Sequence, residues 1–182
     1  MEHKPWKTRS SRPIYKNPWI DVREDVAEMP DGRTTIYGVI ELGQCVGIVP
    51  FLDDGRVVLV HQYRYVQEDA RWEIPTGGIK DGETREQAAQ RELQEEVGYR
   101  AERFEWINSY YTSKSVCHET AHLYVGRGLS HSQLKPDETE FIEVKAFPFD
   151  EALRMVLDGE IMDSMSVIAL LLVARQREGG AP

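Results

Sequence analysis

Short runs of strand length, separated by proline-, aspartate- and glycine-bearing turn signals, mark the first third of this chain. Val22 to Ala27 and Thr34 to Glu41 carry this pattern on either side of Pro30-Asp31-Gly32, a turn signal, and predict an antiparallel hairpin. Val46 to Phe51 and Val57 to Tyr65, around Asp53-Asp54-Gly55, predict a second pair of strands. Further strands are expected at Trp72 to Ile74, Phe104 to Tyr111, Ala121 to Arg127 and Phe141 to Phe147. The pattern changes between Thr84 and Gly98. Thr84 and Gln87 have capping-box spacing, good helix formers without proline follow, Ala89, Leu93 and Val97 form a stripe that can bury, and Gly98 is a helix stop. Asp150 is expected to cap a helix through Leu157, and Asp163 a last one through about Arg175, apolar at Val167, Ile168, Leu170, Leu171 and Leu172 and therefore mostly buried. With no repeat, low-complexity tract or interdomain linker, the pattern predicts an α/β protein in which helices flank a mixed sheet.

Composition narrows the class. At 182 residues one domain with a sizeable core is expected, and 41% hydrophobic with 29% charged residues is ordinary for a soluble globule. A net charge of −9 argues against nucleic-acid or anionic-membrane partners. It leaves an anionic substrate possible, since bound metal and local arginines set the sign inside a site. Cys45 and Cys117 are isolated cysteines without a framework, which points to a reducing, cytoplasmic setting. The longest apolar run, Val167 to Ala174, is far shorter than the roughly 20 residues of a membrane span. Lys4, Lys7, Arg9 and Arg12 are followed by no apolar core, so residues 1–13 read as a flexible basic tail rather than a signal peptide.

The chemistry concentrates at residues 77–99. Gly77, Glu83, Arg91, Glu92, Glu95, Glu96 and Gly98 stand at fixed offsets in a loop that feeds a helix. On that helix Glu92 and Glu96 are one turn apart, with Glu95 beside them. Crowded carboxylates repel each other, and Arg85 and Arg91 are the only nearby cations, so the cluster calls for a bound ion. Hard oxygen donors suit Mg²⁺, with Mn²⁺ an alternative.

These residues resemble the Nudix hydrolase signature, Gly-x5-Glu-x7-Arg-Glu-U-x-Glu-Glu-x-Gly-U with U aliphatic, at every position but the last, where Tyr99 stands in place of Ile, Leu or Val. Outside the box, Trp72-Glu73-Ile74-Pro75-Thr76-Gly77-Gly78, His61-Gln62-Tyr63-Arg64, the acidic stretch Asp137 to Val144, and Gly159-Glu160-Ile161 with Ser166 to Leu170 are similar, in the same order, to the ADP-ribose and nucleoside-diphosphate-sugar pyrophosphatases. The likeness spans roughly residues 20 to 175. It implies an α/β/α sandwich with a mixed sheet over residues 43–178, extended by an N-terminal antiparallel hairpin over residues 14–42 that pairs across a homodimer and contributes substrate contacts.

The resemblance also implies hydrolysis of a phosphoanhydride in a nucleoside diphosphate sugar, with metal ligands at Glu92, Glu96 and the main-chain carbonyl of Thr76, Glu95 sharing a metal, and Glu140 completing the set. Glu138 falls on the position of the family's loop glutamate and is the candidate general base, with Glu140 and Glu143 of the same stretch not separated from it by sequence and Glu95 the runner-up. Arg91 is expected to orient carboxylates and Glu83 to fix the loop-to-helix geometry. Arg64 reads as a phosphate clamp or a surface ion pair, and Glu73 as a contact to sugar hydroxyls or a partner for an arginine. Tyr15, Trp19 and Tyr37 can stack on a base or simply pack. Glu119 can reach metal or substrate across the dimer.

One departure bears on substrate. Thr112-Ser113-Lys114-Ser115 stands where ADP-ribose pyrophosphatases often have a proline-containing turn, which leaves room for hexose nucleotides such as GDP-mannose. Pyrophosphatases acting on nucleoside triphosphates or dinucleoside polyphosphates are the nearest alternative, and a noncatalytic nucleotide-binding module a further one. His118-Glu119-Thr120-Ala121-His122 matches the H-E-x-x-H of zinc proteases, but the residues around it read as a strand. Histidines four apart on a strand are separated by roughly 13 Å, too far to share one zinc.

Overall fold

The structure, a computed structural model, describes residues 5–136 and 141–179. The elements follow in the order β1 (Lys7–Lys16), β2 (Asp21–Glu28), β3 (Thr34–Pro50), β4 (Arg56–Arg64), β5 (Asp69–Glu73), β6 (Thr76–Gly78), α1 (Arg85–Glu96), β7 (Tyr99–Arg100), β8 (Arg103–Tyr111), β9 (Cys117–Arg127), β10 (Ser130–His131), β11 (Ile142–Pro148), α2 (Phe149–Leu157) and α3 (Ser164–Glu178). They divide into two compact units, one formed by the chain up to Gly43 with Tyr111–Thr120, the other by Gln44–Tyr110 with the chain from Ala121 onward. The segment from Tyr111 to Thr120 joins the first unit. Its membership rests on contacts such as the Ile40 amide donating to the Val116 carbonyl, which no local pattern announces.

In the first unit, β2 and β3 form the expected antiparallel hairpin, in register from Asp21 opposite Glu41 to Glu28 opposite Thr34, closed by a turn in which Gly32 has φ of 88°. The reading of residues 1–13 as a tail is corrected from residue 7 onward. Lys7–Lys16 is a strand, β1, antiparallel to β2. All ten of its residues are exposed, so it lacks the alternation that betrays a strand, and Pro13 sits where an edge strand tolerates it.

The second unit is an α/β/α sandwich built by alternation along its strands. Val46, Ile48 and Tyr124 face Ala88 and Ala89 of α1, and Val58 and Val60 face Leu93 and Val97 at the same helix. The intervening residues, Val49, Val57, Leu59, Leu123 and Val125, face α2 and α3 through Ala152, Met155, Ala169, Leu170 and Val173. The stripe expected on α1 is thus buried, with Ala89 and Leu93 at 0% exposure. Each such aliphatic side chain contributes about 1.5–3 kcal/mol on burial.

Two local readings are corrected here. Val46–Phe51 and Val57–Tyr65 do not zip into a hairpin. The turn forms, with the Gly55 amide on the Leu52 carbonyl at 2.9 Å, but only the Phe51–Val57 bridge follows it. Beyond that the strands diverge, β3 pairing β6 and β4 running between β5 and β11. At α2, the helix begins at Phe149 after Pro148, and Asp150 lies in its first turn without capping it, where its charge still suits the helix dipole. Asp163 does cap α3, accepting from the Met165 and Ser166 amides. Among the described residues, no helix is long and apolar enough to cross a membrane.

One contact fixes the strand that leads into the loop of the box. The hydroxyl of Ser166, fully buried on α3, accepts from the Ile74 amide at 2.8 Å. Ser166→Ala strands that buried amide and is expected to lower stability by about 1–3 kcal/mol in chemical denaturation. An unchanged denaturation midpoint would show that the hydroxyl carries no such role.

Candidate active site

Local sequence explains why α1 starts and stops where it does. The Thr84 side chain accepts from the Gln87 amide and the Gln87 side chain from the Thr84 amide, a complete capping box. At the other end Gly98 has φ of 73°, and a Cβ there would stand 2.4 Å from Gln133 Oε1. Gln133, which the sequence reading missed, turns its amide nitrogen on the carbonyls of Gln94 at 2.9 Å and Glu95 at 3.1 Å, the exposed end of α1. The Ser132 amide holds the Gly98 carbonyl as well. Tyr99, the one departure from the box, is accommodated: its ring packs beside the Val58–Leu93 cluster and stacks on His131 with centroids 4.5 Å apart.

Arg91 is the hub. Its guanidinium forks onto Glu83, with Nε to Oε1 at 2.7 Å and Nη2 to Oε2 at 2.9 Å. The same group donates to Glu92, to Glu95 at 3.0 Å and to the Gly78 carbonyl at 2.8 Å. Hydrogen bonding to Glu83, against the opposing effect of burial, raises the Arg91 pKa further above its ordinary value, with Glu92 and Glu95 adding to it. Glu83 is held down to about 2, chiefly by its hydrogen bond to Arg91, with burial acting the other way and the Lys80 amide assisting.

Glu92 and Glu96 are buried on the inner face of α1, and Glu96 Oε2 accepts from the Thr76 amide at 3.2 Å. Gly77 is glycine for a steric reason, since a Cβ there would lie 2.0 Å from Glu92 Oε1. The loop backbone therefore closes directly onto the two carboxylates. Among the described residues no three acidic, histidine or cysteine side chains already stand as a ligand set; Arg91 occupies the middle of the cluster instead. The donors assembled here are carboxylate oxygens and loop carbonyls, which fit a hard divalent cation and would suit a soft one poorly. Glu138 and Glu140, the other expected catalytic and metal-binding carboxylates, lie outside the described residues.

A cavity of about 720 Å³ opens beside Thr76. Arg64, Asp69, Arg71, Glu73 and Asp163 line it. Arg64 and Glu73 are brought together, with Nε to Oε1 at 2.9 Å, so each of the two readings of Glu73 has an anchor here. Burial opposes the Arg64 charge, yet the hydrogen bond to Glu73 and the nearby Glu73, Glu96 and Asp163 carboxylates leave its pKa raised. Arg71 and Asp69 were missed by sequence reasoning. They occur at alternate positions with Glu73 on β5, a period-2 signal that could have found them.

Tyr15, Trp19 and Glu119 belong to the first unit. Tyr15 and Trp19 are exposed there, and Glu119 accepts from the Thr112 hydroxyl at 2.5 Å. Of the H-E-x-x-H residues, His118 and His122 lie on β9, a strand as expected. His118 pairs with Glu41, while His122 is buried between Ser109 Oγ at 2.7 Å and Gln44 Oε1 at 2.8 Å. Burial, aided by the Arg85 charge, lowers the His122 pKa and keeps it neutral.

The helix, its carboxylates and the glycine loop define a class, which comparison with known proteins bears out. The model of the NUDIX domain matches residues 41–165, and that of the nucleoside diphosphate sugar hydrolase N-terminal domain matches residues 6–40. The chain belongs to the Nudix family and is a pyrophosphohydrolase. It is 34% identical over 166 residues to the methanol dehydrogenase activator of Bacillus methanolicus, and 31% identical over 166 residues to the ADP-ribose pyrophosphatase of Bacillus subtilis (strain 168), covering 90% of either chain in both cases. The crystal structure of an ADP compounds hydrolase shares the fold, with a TM-score of 0.89, 23% identity, and coverage of 100% of this chain and 98% of the other.

The Glu83 clamp has a pH signature. Its folded pKa lies below the unfolded value, so its stabilisation is present above about pH 4.5 and is lost as pH falls toward about 2. Melting temperatures of wild type and Glu83→Gln are expected to differ at neutral pH and to converge across this window. Parallel curves down to pH 2 would contradict the clamp.

Proposed function

We propose that this enzyme hydrolyses the diphosphate of a nucleoside diphosphate sugar, such as ADP-ribose or GDP-mannose, to a nucleoside monophosphate and a sugar phosphate. The observation that carries this reading is the buried Glu92–Glu96 pair beside a cavity that combines arginines with carboxylates. Cations suit a diphosphate, and carboxylates suit the hydroxyls of a sugar. Among the described residues lining the cavity there is no aromatic ring on which a base could stack. The N-terminal match to nucleoside diphosphate sugar hydrolases and the ADP-ribose pyrophosphatase relatives support the same substrate class.

In this reading Glu92, Glu96 and the Thr76 carbonyl hold Mg²⁺, Glu95 shares it, and Glu140 completes the set. When bound, the ion supplies charge neutralisation of the diphosphate and acidifies the attacking water. Arg91 aims Glu92 and Glu95 through its hydrogen bonds to them, and Glu83 keeps Arg91 in place. Arg64 neutralises a phosphoryl group, exchanging part of its contact with Glu73. Glu138 accepts the proton from water as general base, with Glu95 the alternative.

The first unit is proposed as the dimerisation surface and the source of base contacts through Tyr15 and Trp19, with Glu119 reaching the partner's substrate. Support comes from its exposure of Ile14, Tyr15, Trp19, Ile36 and Tyr37, apolar groups that a partner could cover. The exposed strand β1 adds an uncovered edge. Cys45 and Cys117 are both free, in keeping with a reducing, cytoplasmic setting.

Phosphate release after phosphatase treatment, with ADP-ribose, GDP-mannose, UDP-glucose, dinucleoside polyphosphates and nucleoside triphosphates, tests the assignment. Diphosphate sugars should turn over with Mg²⁺, lose turnover on chelation, and fall by roughly 10²-fold or more in Glu96→Gln. Turnover confined to triphosphates or dinucleoside polyphosphates would refute the substrate class.

A further inference from the structure

We infer that Asp69 and Arg71 read a vicinal diol of the substrate at the outer end of the cavity; this rests on the diphosphate-sugar reading. Asp69, Arg71 and Glu73 occupy alternate positions of β5, share one face of the strand and line the cavity together with Thr76. At the rise of a strand, Arg71 stands about 7 Å and Asp69 about 13 Å from Glu73. Since β5 runs toward Thr76 and the box, these two lie at the end of the cavity away from the helix carboxylates. Arg64 marks the near end. Its register partner on β5 is Asp69, yet it leans along the sheet to donate to Glu73 at 2.9 Å, and the charge of Glu96 on α1 reaches it. A phosphoryl group held at the helix therefore meets Arg64 first.

Asp69 is held by Arg71 instead. Arg71 Nε donates to Asp69 Oδ2 at 2.6 Å, and Asp69 Oδ1 accepts from the Ala70 amide at 2.9 Å. On its other side, Arg71 Nη1 donates to the Gly159 carbonyl at 3.4 Å. Both side chains are fixed in this way although each is nearly half exposed, and each keeps capacity for a ligand. Arg71 Nη2 has no protein partner among the described residues, and each Asp69 oxygen retains a second lone pair. What the cavity wall offers here is a charged donor beside a charged acceptor. Adjacent hydroxyls, each of which donates and accepts, match that pair. A further anionic group does not, because the wall carries two arginines against the three carboxylates of Asp69, Glu73 and Asp163. Hydrogen bonds to charged groups are roughly twice as strong as neutral ones, so a missing diol is felt. A nucleoside diphosphate sugar holds two such diols, one on the nucleoside ribose and one on the distal sugar, with the same chemistry.

The test compares wild type with Asp69→Asn and Arg71→Gln, both expected to stay folded because an ion pair of this exposure contributes little to stability. Three compounds are assayed: the diphosphate sugar that wild type turns over, ADP-ribose or GDP-mannose; its 2′,3′-dideoxynucleoside analogue; and the β-methyl ester of the same nucleoside diphosphate, which keeps the anhydride without a distal sugar. The expected result is a kcat/KM on the diphosphate sugar reduced roughly 10- to 100-fold in either variant, with a much smaller reduction on one of the two analogues. A small reduction on the methyl ester places the diol on the distal sugar, and a small reduction on the dideoxy analogue places it on the nucleoside. Comparable losses on all three compounds, as a misdirected Arg64 would give, or no loss on the diphosphate sugar, overturns the role of the pair. Wild type silent on ADP-ribose and GDP-mannose alike overturns the diphosphate-sugar reading itself.

Discussion

Carboxylates repel one another, and this molecule gathers Glu83, Glu92, Glu95 and Glu96 around one turn and a half of helix. Arg91 makes that arrangement possible. A single guanidinium has five N–H donors in a planar fork, and here they are distributed over three of the four acids and the Gly78 carbonyl. A lysine in its place would offer a point charge without the fork, and could not hold Glu83 with two parallel bonds while reaching Glu92 and Glu95. The remaining acid, Glu96, is held by the loop through the Thr76 amide. Everything else at the site is arranged to keep α1 and this loop in contact.

That contact is maintained from both sides of the sheet. On one face Ala88, Ala89, Leu93 and Val97 anchor α1 against the strands. From the other, Ser166 of α3 fixes the Ile74 amide, two residues before the loop. Glycine at position 77 then lets the backbone approach the Glu92 carboxylate to a distance that any side chain would prevent. Rigid placement of charged groups, rather than their mere presence, is what lets a site act without reorganising when substrate arrives. The cost is visible in the burial of the Glu92 and Glu96 carboxyl groups, a feature that a chain selected for stability alone would lack.

The sequence disclosed whatever depended on neighbours within a turn or two. Thr84 and Gln87, and Arg91 and its acids, interact over at most eight residues, and Gly98 ends the helix by its own backbone conformation, so their spacing carried the geometry directly. The β2–β3 hairpin was legible for the same reason. The approach of Asp69 and Arg71 to Arg64 was not, because it follows from the β4–β5 register, and Gln133 reaches α1 from nearly forty positions away in sequence. Strand β1 was invisible on different grounds: a strand with neither face buried has no alternation to read, and its order comes from pairing with β2. The second predicted hairpin failed because a good turn does not oblige the strands beyond it to pair when each finds another partner.

The central claim is that the buried carboxylates of α1, gathered by Arg91, hold a hard divalent cation. Titration of the protein with Mn²⁺, read by the loss of the free-ion electron paramagnetic resonance signal, measures this without reference to any substrate. Binding by wild type that is displaced by Mg²⁺ and lost in a folded Glu92→Gln, Glu96→Gln double variant is the predicted outcome. Mn²⁺ binding of undiminished affinity in that variant would contradict it.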